Sequence, residues 1–153
     1  MWVDDETVLV GMGLRTNAAA VRQLADVLAP MGVAVHAAQL PPGAMHLMGM
    51  LRIVDRDLAM AWPGRLARAS VDLLRDRGFH VVFIPSEDEA RRGFALNGVT
   101  LGPRRFLMPA GNHRTQGFYE DLGIACTCVA VDELIKAAGA VGCLTGVLHR
   151  GDC

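Results

Sequence analysis

The chain has 153 residues, of which 52% are hydrophobic and 20% are charged, and its formal net charge is −1. This length fits one domain, spanning residues 1–153, and the apolar content is sufficient for a hydrophobic core. There is neither a basic stripe that could bind nucleic acid nor an apolar run of the ~20 residues that a membrane span needs, so both kinds of partner are excluded.

The cysteines indicate the redox environment and argue against a metal centre. Their spacing matches neither a zinc ribbon nor a C-x-x-C motif. A core this apolar does not need disulfides, and the acidic N-terminal segment lacks the pattern of a signal peptide. We therefore predict a cytoplasmic protein with reduced thiols and no metal site. The four cysteines are Cys126, Cys128, Cys143 and Cys153.

The first predicted unit is a hairpin, a helix and a further strand. A strand over residues 3–11 contains a polar turn at 4–7, before its apolar run. Thr16 or Asn17 is a suitable N-cap for the helix, and Gly32 ends it. Another apolar strand begins directly after that glycine. The apolar face of the helix is predicted from its spacing to comprise Val21, Leu24, Ala25 and Leu28.

The same order of elements returns twice. The second unit has a tight turn at 55–57, and a helix that ends at Gly78. The third unit has a turn at 102–105 and a helix at 117–122. The strands of these two units are predicted at 51–54, 58–62, 80–84, 99–101, 106–108 and 124–131.

Equivalent landmarks keep a constant separation along the chain. The middle strands begin at Val8, Leu58 and Phe106, and the helices end at Gly32, Gly78 and Gly123. Each landmark is about 45–50 residues from the next, which is typical of an array or propeller built from repeats. An α/β sandwich whose elements merely alternate is the other architecture that this pattern allows.

One cysteine near the end of the chain can be read in two ways. Cys143 follows a glycine within the apolar stretch 140–145, where we predict a terminal strand. A free cysteine in such a setting is commonly a small buried hydrophobe. A thiolate is also a strong nucleophile when its surroundings favour ionisation, so the residues alone leave both roles open.

Four motifs together resemble the C-terminal half of the guanidino-group-modifying enzymes, the pentein family. Within this family the chain is most similar to dimethylarginine dimethylaminohydrolases and their amidinotransferase relatives. The resemblance implies a five-bladed α/β propeller of ββαβ units with a central active site, of which this chain would supply about three units. The motifs are Gly13-Leu14-Arg15-Thr16-Asn17, His46-Leu47-Met48-Gly49 with residues 54–59, residues 107–115, and residues 136–145.

The resemblance also implies roles for four residues. Cys143 would attack the guanidinium carbon to form a thiouronium, and His46 would protonate the leaving amine and then activate water. Arg15 would bind the α-carboxylate of the substrate through its planar guanidinium. Asn97 would line the substrate site. This chemistry requires no metal and no organic cofactor, and the substrate is expected to be an arginine derivative.

The chain departs from the family pattern in ways that leave several functions open. An acidic segment that precedes this region in the family is absent, and Met48 stands where the arginine deiminase branch has an aspartate. A hydrolase and an amidinotransferase share the thiouronium step, so these residues cannot separate them. A non-catalytic half-propeller is the third alternative. Three units cannot close a five-unit ring, so we expect a homo-oligomer or a complementing chain.

Overall fold

A computed structural model of the protein describes residues 1–148. These residues form three separate three-stranded sheets, each with its strands in sequence order. In every sheet the first two strands are an antiparallel hairpin, and the third strand pairs in parallel with the second across a helix. The predicted threefold repeat of ββαβ units is therefore confirmed, and the single-sandwich alternative is not what the chain forms.

The repeat contains nine strands and three longer helices within the described residues, together with two short helices. The strands are β1 Trp2–Asp4, β2 Thr7–Met12, β3 Ala34–Gln39, β4 Leu51–Ile53, β5 Leu58–Ala61, β6 His80–Phe83, β7 Val99–Gly102, β8 Arg105–Pro109 and β9 Ala125–Val129. The helices are α1 Ala18–Leu28, α2 Arg68–Asp76, α3 Glu87–Arg91, α4 His113–Asp121 and α5 Asp132–Lys136. No helix within residues 1–148 is long and apolar enough to cross a membrane.

Three glycines turn the chain from each helix into the third strand of its sheet. Gly32, Gly78 and Gly123 have φ angles of +76°, +84° and +77°. These lie in the left-handed region, which only glycine adopts without a steric penalty. The three glycines predicted to end equivalent helices therefore have the same structural role.

Helix α1 begins and faces the sheet as its sequence predicts, but its contact face is only half-buried. The side chain of Asn17 caps the helix by accepting a hydrogen bond from the backbone N–H of Ala20 at 3.0 Å. None of the helical residues is fully buried. The four predicted apolar positions are nevertheless the ones that lie towards the protein, namely Val21, Leu24, Ala25 and Leu28.

The core is centred on the middle sheet. All four residues of β5 are buried, whereas most residues of β3 and β9 are exposed or half-buried. The burial of apolar surface, which is the main stabilising contribution, is therefore concentrated at the middle sheet rather than at the outer strands β3 and β9.

Arg104 joins the second and third units. This residue lies in the turn between β7 and β8, and its side chain pairs with Asp55 at 2.8 Å and with Asp57 at 3.2 Å. Its guanidinium also donates to the carbonyl of Leu122 at 3.0 Å. The first and second units share one such pair, between Arg77 and Asp4 at 3.1 Å.

The terminal strand predicted around Cys143 is wrong. The residue lies in a short 3₁₀ helix, Val141–Leu144, which follows α5. Gly142 within this helix is buried against neighbouring backbone, so the chain has no room to extend alongside a sheet here. The polar tail at 151–153, including Cys153, lies outside the described residues.

Candidate active site

The thiol of Cys143 is exposed and has one specific side-chain partner. The Cys143 backbone N–H donates to the carbonyl of Ala140 at 3.0 Å, which fixes the turn. The amide nitrogen of Asn97 donates a hydrogen bond to Cys143 Sγ at 3.1 Å. A thiol that accepts a hydrogen bond while remaining open to solvent is suited to act as a nucleophile.

Close backbone contacts determine the position of Asn97. It lies two residues before the start of β7, and its own backbone N–H donates to the carbonyl of Phe94 at 2.7 Å. A Cβ on the next residue, Gly98, would lie 2.2 Å from the carbonyl oxygen of Leu107. Glycine at this position lets the chain lie against β8. Asn97 is 5% exposed, so its side chain is held against the cysteine rather than in solvent.

Gly142 allows the cysteine loop to approach Asn97. A Cβ there would lie 2.7 Å from Asn97 Oδ1 and 2.9 Å from the carbonyl oxygen of Gly98. The Gly142 backbone N–H also donates to the carbonyl of Asn97 at 3.3 Å. The cysteine and the asparagine, 46 residues apart in sequence, are therefore joined by both backbone and side-chain contacts.

His46 begins the turn that leads into the second sheet. It is exposed and lies just before the 3₁₀ helix Leu47–Gly49, with extended backbone angles. Leu47 is buried, and a Cβ on Gly11 of β2 would lie 3.1 Å from Leu47 Cβ. Packing between these two residues anchors the turn that carries His46. Within residues 1–148 no hydrogen bond joins the His46 side chain to Cys143.

Arg15 lies beside the loop that carries His46. Its Nη2 donates to the sulfur of Met45 at 3.6 Å, and Met45 directly precedes His46. The carboxyl ends of the parallel strands β2 and β3 meet at this edge, so their following loops are neighbours. A groove of about 340 Å³ lies between these loops and is lined by Gly13, Leu14, Gln39, Leu40, Pro41, Pro42, Gly43 and Ala44.

The two cysteines of β9 have surroundings that oppose ionisation. Burial, the Glu120 carboxylate and the neighbouring Cys128 raise the pKa of Cys126 to about 11. Burial and Glu120 also raise the pKa of Cys128. Both side chains lie on one face of the strand, as predicted. Within residues 1–148 no group of three or more histidine, cysteine, aspartate or glutamate side chains is arranged to hold a metal ion.

The sequence analysis did not identify Arg52, which lies beneath the cysteine loop. This residue is in β4 between the buried residues Leu51 and Ile53. A Cβ on Gly142 would lie 3.1 Å from Arg52 Nη2. The available signal was a charged residue within the otherwise apolar run Leu-Arg-Ile-Val.

Comparisons with known proteins place this geometry in context. No protein-family model matches the chain. The chain is 31% identical over 140 residues to the N(G),N(G)-dimethylarginine dimethylaminohydrolase of Streptomyces coelicolor, with 92% of this chain and 49% of that protein covered. The chain spans about half the length of the curated relatives it matches.

Solved structures agree with the sequence match. A variant of dimethylarginine dimethylaminohydrolase from Pseudomonas aeruginosa, complexed with citrulline, is similar at a TM-score of 0.73 and 27% identity, covering 91% of this chain and 50% of that one. SxtG, an amidinotransferase from Microseira wollei, is similar at a TM-score of 0.85 and 14% identity, covering 98% of this chain and 46% of that one. The chain therefore has the fold of the guanidino-modifying pentein enzymes, the family that its sequence motifs resemble.

Proposed function

We propose that this chain carries the nucleophile of a hydrolase that acts on a guanidino compound. The observation that carries the proposal is the exposed Cys143 thiol, whose sulfur accepts a hydrogen bond from Asn97 at 3.1 Å. The relative with 31% identity is a dimethylarginine dimethylaminohydrolase by name. A relative with 27% identity is complexed with citrulline, which has the ureido group that hydrolysis of a guanidino group would leave.

In the first half of the proposed reaction, the Cys143 thiolate attacks the carbon of the guanidinium group. A C–S bond forms and one C–N bond breaks, so the sulfur becomes part of a thiouronium. The leaving amine takes a proton from the His46 imidazolium. Asn97 keeps the sulfur in position during this step through its N–H donor.

In the second half, water replaces the sulfur on the same carbon. Neutral His46 takes a proton from the water as the oxygen attacks. The C–S bond then breaks, the second proton of the water is released to solvent, the Cys143 thiolate is regenerated, and the product carries a ureido group. Arg15 contacts Met45, the residue before His46, and its proposed role is to bind the α-carboxylate of an arginine derivative.

We also propose a cellular location and an assembly state for the chain. Cys126, Cys128 and Cys143 are free thiols, which is compatible with the reducing cytoplasm. We also propose that the three-unit chain works as a homo-oligomer or with a complementing partner.

The proposal is tested by comparing a cationic reagent with a neutral one of the same size. Chloroacetamidine resembles a guanidinium, whereas chloroacetamide does not. We expect chloroacetamidine to label Cys143 first, because the raised pKa values of Cys126 and Cys128 leave little thiolate at neutral pH. Intact-mass analysis with peptide mapping identifies the labelled residue, and Cys143→Ser is the matched control.

Two outcomes would contradict a guanidino site. One is faster labelling of Cys128 than of Cys143 in the folded chain. The other is an amidine-to-amide rate ratio at Cys143 that equals the ratio in the urea-denatured chain. An added primary amine that becomes amidinated during turnover would instead assign the chain to amidinotransfer, which shares the first half-reaction.

A further inference from the structure

The side chain of Asn97 reaches Cys143 from a short turn with a strained backbone, residues 93–97. Phe94 in this turn has a φ angle of +52°, in the left-handed region that residues with a Cβ rarely adopt. The backbone N–H of Asn97 donates to the carbonyl of Phe94 at 2.7 Å, so the conformation of Phe94 determines where Asn97 lies. A residue held in this region costs free energy, so contacts around the turn must stabilise it.

Asn112 makes two hydrogen bonds that hold the beginning of the 93–97 turn. Its side chain is 1% exposed, and its Nδ2 donates to the carbonyl of Gly93 at 2.8 Å and to the carbonyl of Pro109 at 2.9 Å. Both partners can only accept hydrogen bonds, so they fix the amide with its nitrogen towards them. One buried side chain therefore joins the turn to the end of β8.

Gly93 lies in close contact with both Asn112 and helix α3. A Cβ at this position would lie 1.8 Å from Asn112 Oδ1 and 2.9 Å from the carbonyl oxygen of Glu89. That carbonyl in turn accepts a hydrogen bond from the backbone N–H of Ala95 at 3.1 Å. The turn is therefore enclosed between α3 and Asn112, and any side chain at position 93 would have to displace one of them.

The contacts of Asn112 differ from the local role that its place in the chain suggests. It occupies the N-cap position of α4, yet its side chain makes no capping hydrogen bond there. The Glu89 carboxylate accepts hydrogen bonds from the first turn of α4 instead, at Arg114 and Thr115. Because another residue caps the helix, the Asn112 amide is free to bind the turn.

We propose that Asn112 is a positioning residue for the nucleophile. It holds the 93–97 turn in the conformation from which Asn97 Nδ2 donates to Cys143 Sγ at 3.1 Å. Within residues 1–148 no hydrogen bond joins Asn112 to the sulfur, so its effect passes through Asn97. The inference rests on the proposed function only in taking Cys143 as the nucleophile.

The first test follows the Asn97 side chain directly. The chain has three asparagines, Asn17, Asn97 and Asn112, so ¹⁵N labelling of asparagine alone gives a simple NMR spectrum. Cys143→Ala removes the sulfur and defines the Asn97 side-chain signal without this contact. We expect Asn112→Ala to move the signal towards that position, because the turn is no longer held. An Asn97 signal at its wild-type position in folded Asn112→Ala would overturn the proposal.

The matched control for this test is Asn17→Ala. Asn17 has a purely structural role, since its side chain caps helix α1. Loss of a cap destabilises a protein without altering distant contacts. The control variant should therefore have a lower Tm and an unchanged Asn97 signal, which separates positioning from general stability.

The second test asks whether the two asparagines act in series on Cys143. We expect Asn97→Ala and Asn112→Ala each to slow alkylation of Cys143 by iodoacetamide about fivefold, since a hydrogen bond to the reacting sulfur is lost. The double variant should react within about twofold of Asn97→Ala, because residues of one network are not additive. Asn17→Ala should keep the wild-type rate. Losses that multiply in the double variant would overturn the proposal.

The third test uses the unmodified protein and does not depend on variants that fold. Hydrogen exchange in the labelled chain compares the backbone N–H of Asn97 with the side-chain Nδ2 protons of Asn112. If Asn112 holds the turn, both groups exchange through one opening event and report the same opening free energy. Faster, independent exchange at the Asn97 backbone would overturn the proposal.

These measurements use no reagent that resembles a guanidine, so the two hypotheses fail separately. If the asparagines behave as expected while Cys143 has no preference for chloroacetamidine, the guanidino function is contradicted and the role of Asn112 stands. If Cys143 prefers chloroacetamidine but neither its rate nor the Asn97 signal responds to Asn112→Ala, only the role of Asn112 is contradicted.

Discussion

Gly142 determines how closely the cysteine loop approaches Asn97. Its missing side chain leaves space that the amide of Asn97 and the carbonyl of Gly98 occupy at 2.7 and 2.9 Å from a Cβ position. Distances this short exclude any larger residue unless the loop moves. The hydrogen bond between Asn97 and Cys143 therefore depends on a residue that takes no part in the chemistry.

Replacing Gly142 with alanine should separate Cys143 from Asn97. We expect the alkylation rate of Cys143 at pH 7 to fall by about tenfold, because a hydrogen bond to a charged group contributes about 1.5–3 kcal/mol. Gly139→Ala is the matched control, since a Cβ there would lie 3.6 Å from Cys143 Cβ, an ordinary contact distance. Equal rates for the two variants would show that Gly142 does not hold the sulfur in place.

The contribution of Arg15 to ligand binding should depend on whether the ligand carries an α-carboxylate. We expect Arg15→Ala to raise the arginine concentration that protects Cys143 from chloroacetamidine by tenfold or more, since a charge-assisted contact of about 1.5–3 kcal/mol is lost. Protection by agmatine, which lacks the α-carboxylate, should stay within twofold of wild type. Arg22→Ala, on the outer face of α1, is the control. An equal loss with both ligands would remove Arg15 from this role.

Among the elements, α3 caps the neighbouring helix α4. The Glu89 carboxylate accepts hydrogen bonds from the backbone N–H groups of Arg114 at 3.0 Å and Thr115 at 2.7 Å. These are donors in the first turn of α4, where a negative charge also interacts favourably with the helix dipole. Asn112 occupies the N-cap position but makes no capping hydrogen bond with its side chain, whose amide nitrogen donates to the carbonyls of Gly93 and Pro109.

Glu89→Gln should destabilise the fold at neutral pH but not in acid. Burial raises the pKa of Glu89, but hydrogen bonds from Thr115 and the Arg114 backbone outweigh it and hold the pKa below 4.5. The stabilisation is therefore complete above pH 4.5 and is lost as pH falls through the lower, folded-state pKa. We expect a Tm about 3–6 °C lower at pH 7, from about 1.5 kcal/mol.

Thermal melts from pH 7 to pH 2.5 measure this difference. The matched control is Glu87→Gln in the same helix, because its pair with Arg91 is exposed and contributes little. A Tm difference for Glu89→Gln that persists unchanged at pH 2.5 would contradict the ionic cap.

The sequence predicted the helices and strands that have a clear apolar periodicity or end at a glycine. The glycines at 32, 78 and 123 indicated the helix ends because positive φ angles require them. The five-residue helices α3 and α5 were missed, since one turn of helix has no periodicity. Position 143 was assigned to a strand because its short apolar run resembles one, whereas the crowding around Gly142 that prevents extension comes from distant residues.

The candidate site was harder to predict because its contacts are long-range. Cys143 and Asn97 were singled out separately, through a family resemblance. No local pattern could show that their side chains meet, since the two residues are 46 positions apart in sequence. The surroundings of Arg52 were not predictable for the same reason, because Leu96, whose carbonyl accepts its hydrogen bond, lies outside the local sequence.

At the scale of the whole molecule, the first and last units differ from the middle unit in their exposed apolar surface. On the first unit Val27 is 66% exposed and Met31 is 69% exposed, and on the last unit Val147 is 59% exposed. Such surfaces favour association. We therefore predict that the purified chain is a dimer or larger, with a contact formed by the first and last units and near His46 and Cys143.

Light scattering coupled to size exclusion measures this association. The double variant Val27→Glu/Met31→Glu should shift the chain towards monomer, because it places two charges on the apolar contact. Arg75→Glu, on helix α2 of the middle unit, should leave the assembly unchanged. A monodisperse wild-type monomer at every concentration would contradict the prediction.

The contacts of Arg104 have a consequence for how the protein opens. The second and third units share two side-chain bonds from Arg104, to Asp55 and Asp57, together with a hydrogen bond from Thr100 to the carbonyl of Ile53 at 2.7 Å. Between the first and second units, the ion pair that the structure describes within residues 1–148 joins Arg77 and Asp4, and it is partly exposed. Local unfolding follows such differences, since weakly connected regions open first.

Amide hydrogen exchange should accordingly divide the protein into two cooperative parts. We expect β5 and β8 to exchange slowly with a common opening rate, while β3 exchanges faster and independently. Arg104→Met should speed exchange in β8 and leave β3 unchanged, and Arg77→Met should do the reverse. The units would then open at different rates although they share one pattern of strands and helix. The loop that carries Cys143 would belong to the part that exchanges its amide hydrogens more slowly.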